Sequence, residues 1–276
     1  MSDTAVSTAV PAQGAAPSPA QVVWSSGDYR RIGGMLVGLS ERLAEEVDLR
    51  HGERVLDVAT GNGNLALAAA RRGAVTTGID IAPNLLEHAR RRADVEGFDI
   101  DFRWGDAQQL PVADDAFDVT LSAIGVMFAP GQQAAADELV RVTRSGGRIG
   151  LTCWTSDGFL GELFRTMGRH VPPPPGALPP VRWGTLQGLA ELFGDRVSWT
   201  SLHHDDFRMR FPSPRAYVEY FAEHYGPTVK ALERLDESGR AALLDDIEQV
   251  VVRHNVATDG TAAWDSRYLQ AVGIVR

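Results

Sequence analysis

The stretch Val55-Leu-Asp-Val-Ala-Thr-Gly-Asn-Gly63 decides how this chain folds. Apolar, strand-forming residues surround Asp57, two glycines follow, and the alanine- and leucine-rich run 64–72 has the composition of a helix. Glycine lets a backbone approach a ligand closely, and the first turn of a helix presents free N–H groups. A strand, a glycine turn and a helix in this order therefore predict a site for a nucleotide-like ligand.

The same glycines also fit the dinucleotide fingerprint Gly61-x-Gly63-x-x-Ala66, in which a pyrophosphate lies at the helix N-terminus. Asp57, four residues before Gly61, argues against this alternative because a carboxylate beside a pyrophosphate would repel it. A carboxylate here suits a ligand whose nearest group is an ammonium. A nicotinamide oxidoreductase remains the rival interpretation of this stretch.

Strand and helix patterns alternate on both sides of this motif. Such alternation predicts an α/β fold with a parallel sheet and helices on both of its faces. Ligands in these sheets bind beyond the carboxyl ends of the strands, where Asp57, Asp80 and Asp106 fall. The predicted strands are 54–58, 75–79, 99–104, 117–122, 147–153, 196–211 and 268–275, and the main predicted helices are 36–47, 64–72, 83–96, 132–143, 214–224 and 227–254.

Further motifs follow the glycine turn in order, and together they carry a resemblance. They are Val75-Thr-Thr-Gly-Ile-Asp80, Gly105-Asp-Ala107, Phe117-Asp-Val-Thr120 and Arg141-Val-Thr-Arg-Ser-Gly-Gly147. The chain resembles the class I S-adenosylmethionine-dependent methyltransferases, whose first motif runs acid-x-Gly-x-Gly-x-Gly. It departs from the family pattern at Ala59, where the first glycine is usual, and at Ser145, where proline is usual.

The resemblance implies a seven-stranded Rossmann-like methyltransferase sheet with a helical cover or insertion. It also implies S-adenosylmethionine as methyl donor and S-adenosylhomocysteine as product. Asp57 would face the methionine end, Asp80 would accept from the ribose hydroxyls, and Asp106 would accept from the adenine amino group. The predicted cofactor-binding residues are Tyr29, Asp57, Ala59, Gly61, Gly63, Asp80, Ile81, Asp106, Ala107 and Ser122.

The chain divides into three predicted regions. Residues 1–20 are rich in Ala, Pro, Ser and Thr, which indicates a flexible tail and not a secretory signal. Residues 21–155 form the donor-binding core with an N-terminal helix. Residues 156–276 supply a substrate cover and the last two strands, with 212–257 as a helical insertion. The proline-rich run 172–180 is predicted to cover the site, and a ligand for proline-binding domains is the alternative.

Methyl transfer is an in-line displacement in which the protein positions the reactants and excludes water. His224 and Tyr225 are the predicted catalytic residues, because they end an aromatic stretch that begins at Tyr217. Other histidines of the cover remain alternatives, and a general base is optional. These histidines are His203, His204 and His254. Aromatic side chains that could face the sulfonium are Trp24, Tyr29, Phe128 and Trp154.

Composition narrows the partners. A net charge of −9 argues against nucleic acid, and the run Arg90–Arg92 is interpreted as a solvated helix end. No apolar window is long enough for a membrane span, no residue cluster has metal-ligand spacing, and Cys153 is expected to be a small buried residue.

We expect a bacterial, cytoplasmic enzyme of secondary metabolism, monomeric or homodimeric, in the ubiquinone/menaquinone-biosynthesis type of branch. It would methylate O, N or C of a small, partly hydrophobic metabolite. The alternative is a protein of the same fold that acts as a cyclase, an isomerase or a binding module.

Overall fold

The computed structural model describes residues 16–276, which contain one seven-stranded sheet. The strands are β1 (Arg54–Val58), β2 (Val75–Asp80), β3 (Asp101–Trp104), β4 (Phe117–Ala123), β5 (Thr143–Trp154), β6 (Val197–Phe211) and β7 (Ala262–Val275). The helices are α1 (Pro19–Trp24), α2 (Tyr29–Met35), α3 (Val37–Glu46), α4 (Asn64–Arg71), α5 (Pro83–Glu96), α6 (Gln132–Val142), α7 (Phe159–His170), α8 (Leu186–Phe193), α9 (Pro214–His224), α10 (Gly226–Glu233) and α11 (Glu237–His254).

The strand order is β3-β2-β1-β4-β5-β7-β6. Strands β1 to β5 pair in parallel, and β7 runs antiparallel to both β5 and β6. This confirms the predicted sheet and its antiparallel last strand. The carboxyl ends of β1, β2, β3 and β4 therefore meet at one edge of the sheet, where Asp57 and Asp80 lie within the last two residues of their strands and Asp106 follows β3.

Helix boundaries near this edge follow their capping residues. α5 begins at Pro83, whose fixed φ suits the first turn, and ends at Gly97, which has a left-handed φ of 74°. α4 begins after Gly63, which has a φ of 82°. The predicted bounds 83–96 match α5 because both of its ends carry residues with a strong local preference.

Several predicted boundaries were wrong. The segment 156–195 contains α7 and α8, which the proline-rich pattern concealed. The predicted helix 227–254 is two helices, because Asp236 caps the start of α11 by accepting from the Gly239 N–H at 2.8 Å. The last strand begins at Ala262 and not at Tyr268. Of the predicted tail, residues 1–15 lie outside the described part, and the segment 19–20 already belongs to α1.

The long β6–β7 pair extends beyond β5, whose pairing with β7 ends at Trp154 and Tyr268. The overhang is a two-stranded ribbon, and α7, α9 and α11 pack around its buried Trp264 to form a second hydrophobic core. The buried residues of this core all come from the segment 156–276, for which a substrate cover is predicted. Cys153 is buried in the main core as predicted, and burial raises the pKa of its thiol. Within residues 16–276 no helix has the length and apolarity needed to cross a membrane.

Candidate functional site

A cavity, here called the edge cavity, opens at the carboxyl edge of the sheet. Its floor comes from the loops after β1, β2, β3 and β4, and Ala20 and Trp24 of α1 stand over it. It brings together seven of the ten predicted cofactor-binding residues. These are Tyr29, Ala59, Gly61, Asp80, Ile81, Asp106 and Ala107.

Asp80 ties two loops of the edge cavity together. Its carboxylate accepts from the Gly61 N–H at 2.7 Å and from the Ala82 N–H at 2.8 Å. The residue is 6% exposed, and burial raises the pKa of Asp80 to about 6. It forms no ion pair with any residue from 16 to 276, so a ligand that donates hydroxyl groups would stabilise its charge.

Asp57 faces a smaller neighbouring space, here called the loop cavity, which Gly61 and Tyr29 also line. One carboxylate oxygen, Oδ2, accepts from both the Thr60 hydroxyl at 2.6 Å and the Ala66 N–H at 3.0 Å. Burial raises the pKa of Asp57 to about 7. Its Oδ1 has no hydrogen-bond donor among the described residues, so this carboxylate oxygen remains available to a cationic ligand in the loop cavity.

The backbone conformation of Ala59 explains why the family usually has glycine at this position. Its φ is 57°, in the left-handed region that side chains disfavour by about 1–2 kcal/mol. Space for its methyl group comes from Gly125, where an added Cβ would lie 2.9 Å from both the Ala59 Cβ and the Ala59 carbonyl oxygen. The loop after β1 can therefore carry a methyl group at Ala59 because the facing loop has no side chain at Gly125.

Two predicted cofactor-binding residues support the loops and do not line these cavities. A Cβ on Gly63 would lie 3.0 Å from the Ala89 Cβ, so this glycine serves close helix packing. Ser122 is fully buried, donates to the Val58 carbonyl at 2.7 Å and accepts from the Val126 N–H at 2.9 Å. These two bonds give the buried hydroxyl a structural role between β1 and the residues after β4, and a ligand contact of Ser122 stays a prediction.

Asp106 lies in the edge cavity, held by the next residues of its own loop. Its carboxylate accepts from the backbone N–H of Gln108 at 2.9 Å and from the Gln108 side-chain amide at 3.0 Å. The amide oxygen of Gln108 accepts in turn from the Gly131 N–H at 2.7 Å. This network fixes the carboxylate at the cavity wall, and its role towards an adenine amino group remains a prediction.

The interpretation of Arg90–Arg92 as a solvated helix end was wrong for Arg92, whereas Arg90 and Arg91 are exposed. Arg92 donates to the Asn62 carbonyl at 2.7 Å and to the Asn64 side-chain oxygen at 2.6 Å, which holds the glycine turn from outside. Arg90 donates to a backbone carbonyl of β3. Arg91 alone pairs at the surface, with Glu87. Three consecutive arginines in a sequence do not show which of their side chains contacts the protein, so the contact of Arg92 with the glycine turn was not predictable.

A second cavity, here called the inner cavity, adjoins the edge cavity. Its lining is almost entirely apolar and aromatic, from α2, α7, α9 and the β6–β7 ribbon, and includes Trp154, Phe159, Leu163, Met209 and Tyr217. No Asp, Glu, His, Lys or Arg is among the described residues that line it. The proline-rich run 172–180 lines neither cavity, whereas α7, α9 and the ribbon line the inner cavity.

Four residues line both the edge cavity and the inner cavity: Trp24, Tyr29, Ile124 and Phe128. The Trp24 ring lies 5.6 Å from that of Tyr29 and 5.0 Å from that of Phe128, between centroids. Three of the four predicted aromatic candidates thus surround the passage between the two spaces. A cation at this passage would lie among electron-rich ring faces.

Ile124 was missed by sequence reasoning. Its φ is 52°, which is a strained value for a β-branched residue, and its N–H donates to the Thr152 carbonyl at 2.8 Å. Strain of this kind persists where the surrounding packing enforces it, and it concentrates at functional sites. The side chain lies where the edge, inner and loop cavities meet.

The two predicted catalytic residues separate in the structure. Tyr225 lines the inner cavity, and burial raises the pKa of its phenol, so it keeps its proton at neutral pH. His224 lines neither cavity, because its ring packs against Tyr220 at 4.7 Å between centroids and points towards Glu223. The alternative histidines lie elsewhere too. His203 and His204 are exposed on β6, and His254 lies 2.8 Å from the Glu162 carboxylate.

Buried acids at the carboxyl ends of two neighbouring strands suit a ligand with hydroxyl groups and a cationic group, at the place where α/β sheets of this kind bind nucleoside cofactors. A sequence model of the methyltransferase domain matches residues 55–147. An uncharacterized protein of Mycobacterium tuberculosis is 37% identical over 254 residues, which cover 91% of this chain and 93% of that protein. The demethylmenaquinone methyltransferase of Thermus thermophilus is 36% identical over 143 residues, covering 50% of this chain and 65% of that enzyme. Among solved structures, the [4+2]-cyclase SpnF aligns with a TM-score of 0.57 and 22% identity, over 91% of this chain and 85% of that one.

The chain belongs to the class I S-adenosylmethionine-dependent methyltransferases. S-adenosylmethionine fits the residues present. Asp57 and Asp80 have no cationic partner among the described residues, and the ammonium and the ribose hydroxyls of the donor would supply the missing interactions. The nicotinamide alternative is thereby set aside.

Proposed function

We propose that the protein transfers a methyl group from a donor in the edge cavity to a small apolar acceptor in the inner cavity. The observation that carries this proposal is the passage shared by the two cavities, formed by Trp24, Tyr29, Ile124 and Phe128. A donor whose methionine end lies at Asp57 and whose ribose lies at Asp80 would present its methyl group there. The methylated atom is O, N or C.

S-adenosylmethionine supplies a methyl group that is activated by its positively charged sulfur. The protein positions the acceptor in line with that group and excludes water. The lining of the inner cavity, as formed by residues 16–276, offers no carboxylate or imidazole as a base, and burial keeps the Tyr217 and Tyr225 phenols protonated, with their pKa values raised. The proposed acceptor is therefore a nucleophile that needs no protein base before it attacks.

The absence of charge from the described lining also indicates the class of acceptor. An ionised acceptor would lose its hydration in an aromatic cavity without gaining a counter-charge. A neutral molecule with a mostly apolar surface fits the wall. This supports methylation of a small molecule and gives no support to a nucleic acid partner. The proposed setting is secondary metabolism in a bacterial cytoplasm, with an activity of the ubiquinone/menaquinone-biosynthesis type.

The test begins with calorimetric titration of S-adenosylmethionine, S-adenosylhomocysteine and NADH. We expect the first two to bind and NADH not to bind. A panel of neutral apolar amines, together with phenols and enols as acceptors that would need a base, is then incubated with the donor, and release of S-adenosylhomocysteine is measured. Tyr29→Ala should lose both readouts, and Arg91→Met, which changes a surface pair away from both cavities, should lose neither. Donor binding without methyl transfer to any acceptor of these classes would contradict the proposal.

A non-methylating reaction is the second candidate, and the shared fold with the cyclase SpnF favours its inclusion. Mass spectrometry separates the two outcomes. A methylated product gains the mass of one CH₂, whereas a cyclised or isomerised product keeps the mass of its substrate. Turnover with unchanged mass, together with undiminished S-adenosylmethionine, would favour the cyclase or isomerase.

A further inference from the structure

Among the described residues that line the inner cavity, Ser266 alone has a side-chain polar atom that is both fully buried and without a hydrogen-bond partner. Ser266 is 0% exposed, its hydroxyl has no hydrogen-bond partner among the described residues, and it lines the inner cavity. A buried hydroxyl without a partner is unfavourable, so one that faces a cavity can gain a hydrogen bond from a molecule bound there.

The sequence pattern of β7 explains how the hydroxyl comes to face the cavity. Side chains alternate along a strand, and Trp264, Ser266 and Tyr268 point inwards while Asp265 and Arg267 are exposed. A serine between two large aromatic residues leaves space in an otherwise filled wall. Ser266 therefore contributes both the space in this wall of the inner cavity and the unpartnered hydroxyl.

We infer that Ser266 is the polar anchor of the acceptor site and hydrogen-bonds a neutral hydroxyl or carbonyl oxygen on an otherwise apolar acceptor. This inference rests on the proposed function. Ser266 enters the cavity from β7, whereas the passage to the donor is formed by α1, α2 and the residues after β4. An acceptor held by one oxygen at β7 has a fixed orientation, so Ser266 is a specificity-determining residue that selects the atom presented at the passage.

The test uses phenol and toluene, which have nearly the same shape and differ only in that phenol has a hydroxyl group where toluene has a methyl group. Each is titrated into the protein saturated with S-adenosylhomocysteine, and binding is followed through the ¹³C-labelled methyl groups of Ile124 and Met209, which line the cavity. In the unchanged protein phenol should bind more tightly than toluene. In Ser266→Ala this preference should fall by about 3- to 10-fold, the size of one neutral hydrogen bond. Toluene should bind the variant at least as well as the unchanged protein.

Thr152→Val is the matched control. The Thr152 hydroxyl is also buried without a partner, but it lies on β5 and does not line the inner cavity. Both substitutions should leave the melting temperature unchanged or higher, and only Ser266→Ala should change the phenol preference. A structural serine would instead lower the melting temperature and weaken both probes equally.

The binding of the two probes does not require methyl transfer, so the role of Ser266 can fail or hold independently of the proposed function. An unchanged phenol preference in Ser266→Ala, equal weakening of both probes, or binding of neither probe would overturn the role of Ser266. Failure of methyl transfer with the phenol preference intact would overturn the proposed reaction and leave the anchor.

Discussion

Replacing Asp57 by asparagine should make the free protein more stable and bind the donor more weakly. The substitution is nearly isosteric. One oxygen of Asp57 accepts from both Thr60 and Ala66, and the amide oxygen of an asparagine can do the same. The amide NH₂ would then replace Oδ1, the carboxylate oxygen without a donor. The change thus removes a buried negative charge and keeps the local hydrogen bonds.

The magnitude follows from the pKa of Asp57, which burial raises from an ordinary 3.8 to about 7. At a pH well above both values, this difference corresponds to a cost of about 4 kcal/mol for the folded state. A buried NH₂ without full hydrogen bonding costs about 1–3 kcal/mol. Asp57→Asn should therefore raise the free energy of unfolding by about 1–3 kcal/mol at pH 8. The gain should shrink as the pH falls from about 7 towards 3.8, because the folded-state carboxyl then protonates and the charge disappears.

Donor affinity should change in the opposite direction. Hydrogen bonds to a charged group contribute about 1.5–3 kcal/mol, so loss of the ammonium–carboxylate contact should weaken S-adenosylmethionine binding by about 10- to 150-fold. In the unchanged protein the affinity should rise with pH through about 7, as Asp57 loses its proton, and this dependence should be reduced in the variant.

Urea unfolding between pH 5 and pH 8 and calorimetric titration of the donor measure the two effects. Asp118→Asn is the control, because hydrogen bonds from Arg144 and Arg54 outweigh partial burial and hold the pKa of Asp118 below its ordinary value. That substitution should lower stability at pH 8 and leave donor affinity unchanged. A less stable Asp57→Asn protein with unaltered donor affinity would refute the reasoning.

Three further substitutions test the framework of the edge cavity. Arg92→Met should weaken donor binding by about 3- to 30-fold in calorimetry, because it releases the glycine turn; Arg91→Met is its control and should bind as before. Gly125→Ala should lower the free energy of unfolding by about 1–3 kcal/mol in urea titration, since the new methyl would lie 2.9 Å from Ala59; wild-type stability would show that the two loops can separate. Trp24→Ala should weaken donor binding by about 3- to 30-fold through the lost ring face, whereas Trp24→Phe should retain most of the affinity; equal affinities for both variants would exclude an aromatic role.

The sheet and the donor-binding edge were predictable because both depend on local signals. The strand that ends at Asp57, the proline and glycine at the two ends of α5, and the order of the motifs can all be recognised within short windows. Parallel connections then permit few topologies. The left-handed φ of Ala59 also agrees with a position where the resemblance expects glycine.

The acceptor side was not predictable in the same way, because its contacts join distant segments. His224 and Tyr225 are neighbours in sequence, yet only Tyr225 reaches the inner cavity, since α9 ends at His224 and the chain turns there. Arg92 contacts a loop 30 residues away. The early start of β7, which brings Ser266 into the cavity, depends on pairing with β6 and not on a local apolar run.

Polar groups that the protein leaves without full partners mark both halves of the proposed site. Asp57 and Asp80 are buried acids whose charges are unpaired among the described residues, and the Ser266 hydroxyl is buried without a partner. Each lowers the stability of the free protein, and each regains that free energy only when a ligand supplies the missing cation or hydrogen bond. Strain at Ala59 and Ile124 adds to this cost in the same place. Substitutions that stabilise the free protein at these acids and at this serine should therefore weaken ligand binding, whereas a purely structural residue would lose stability when it is changed.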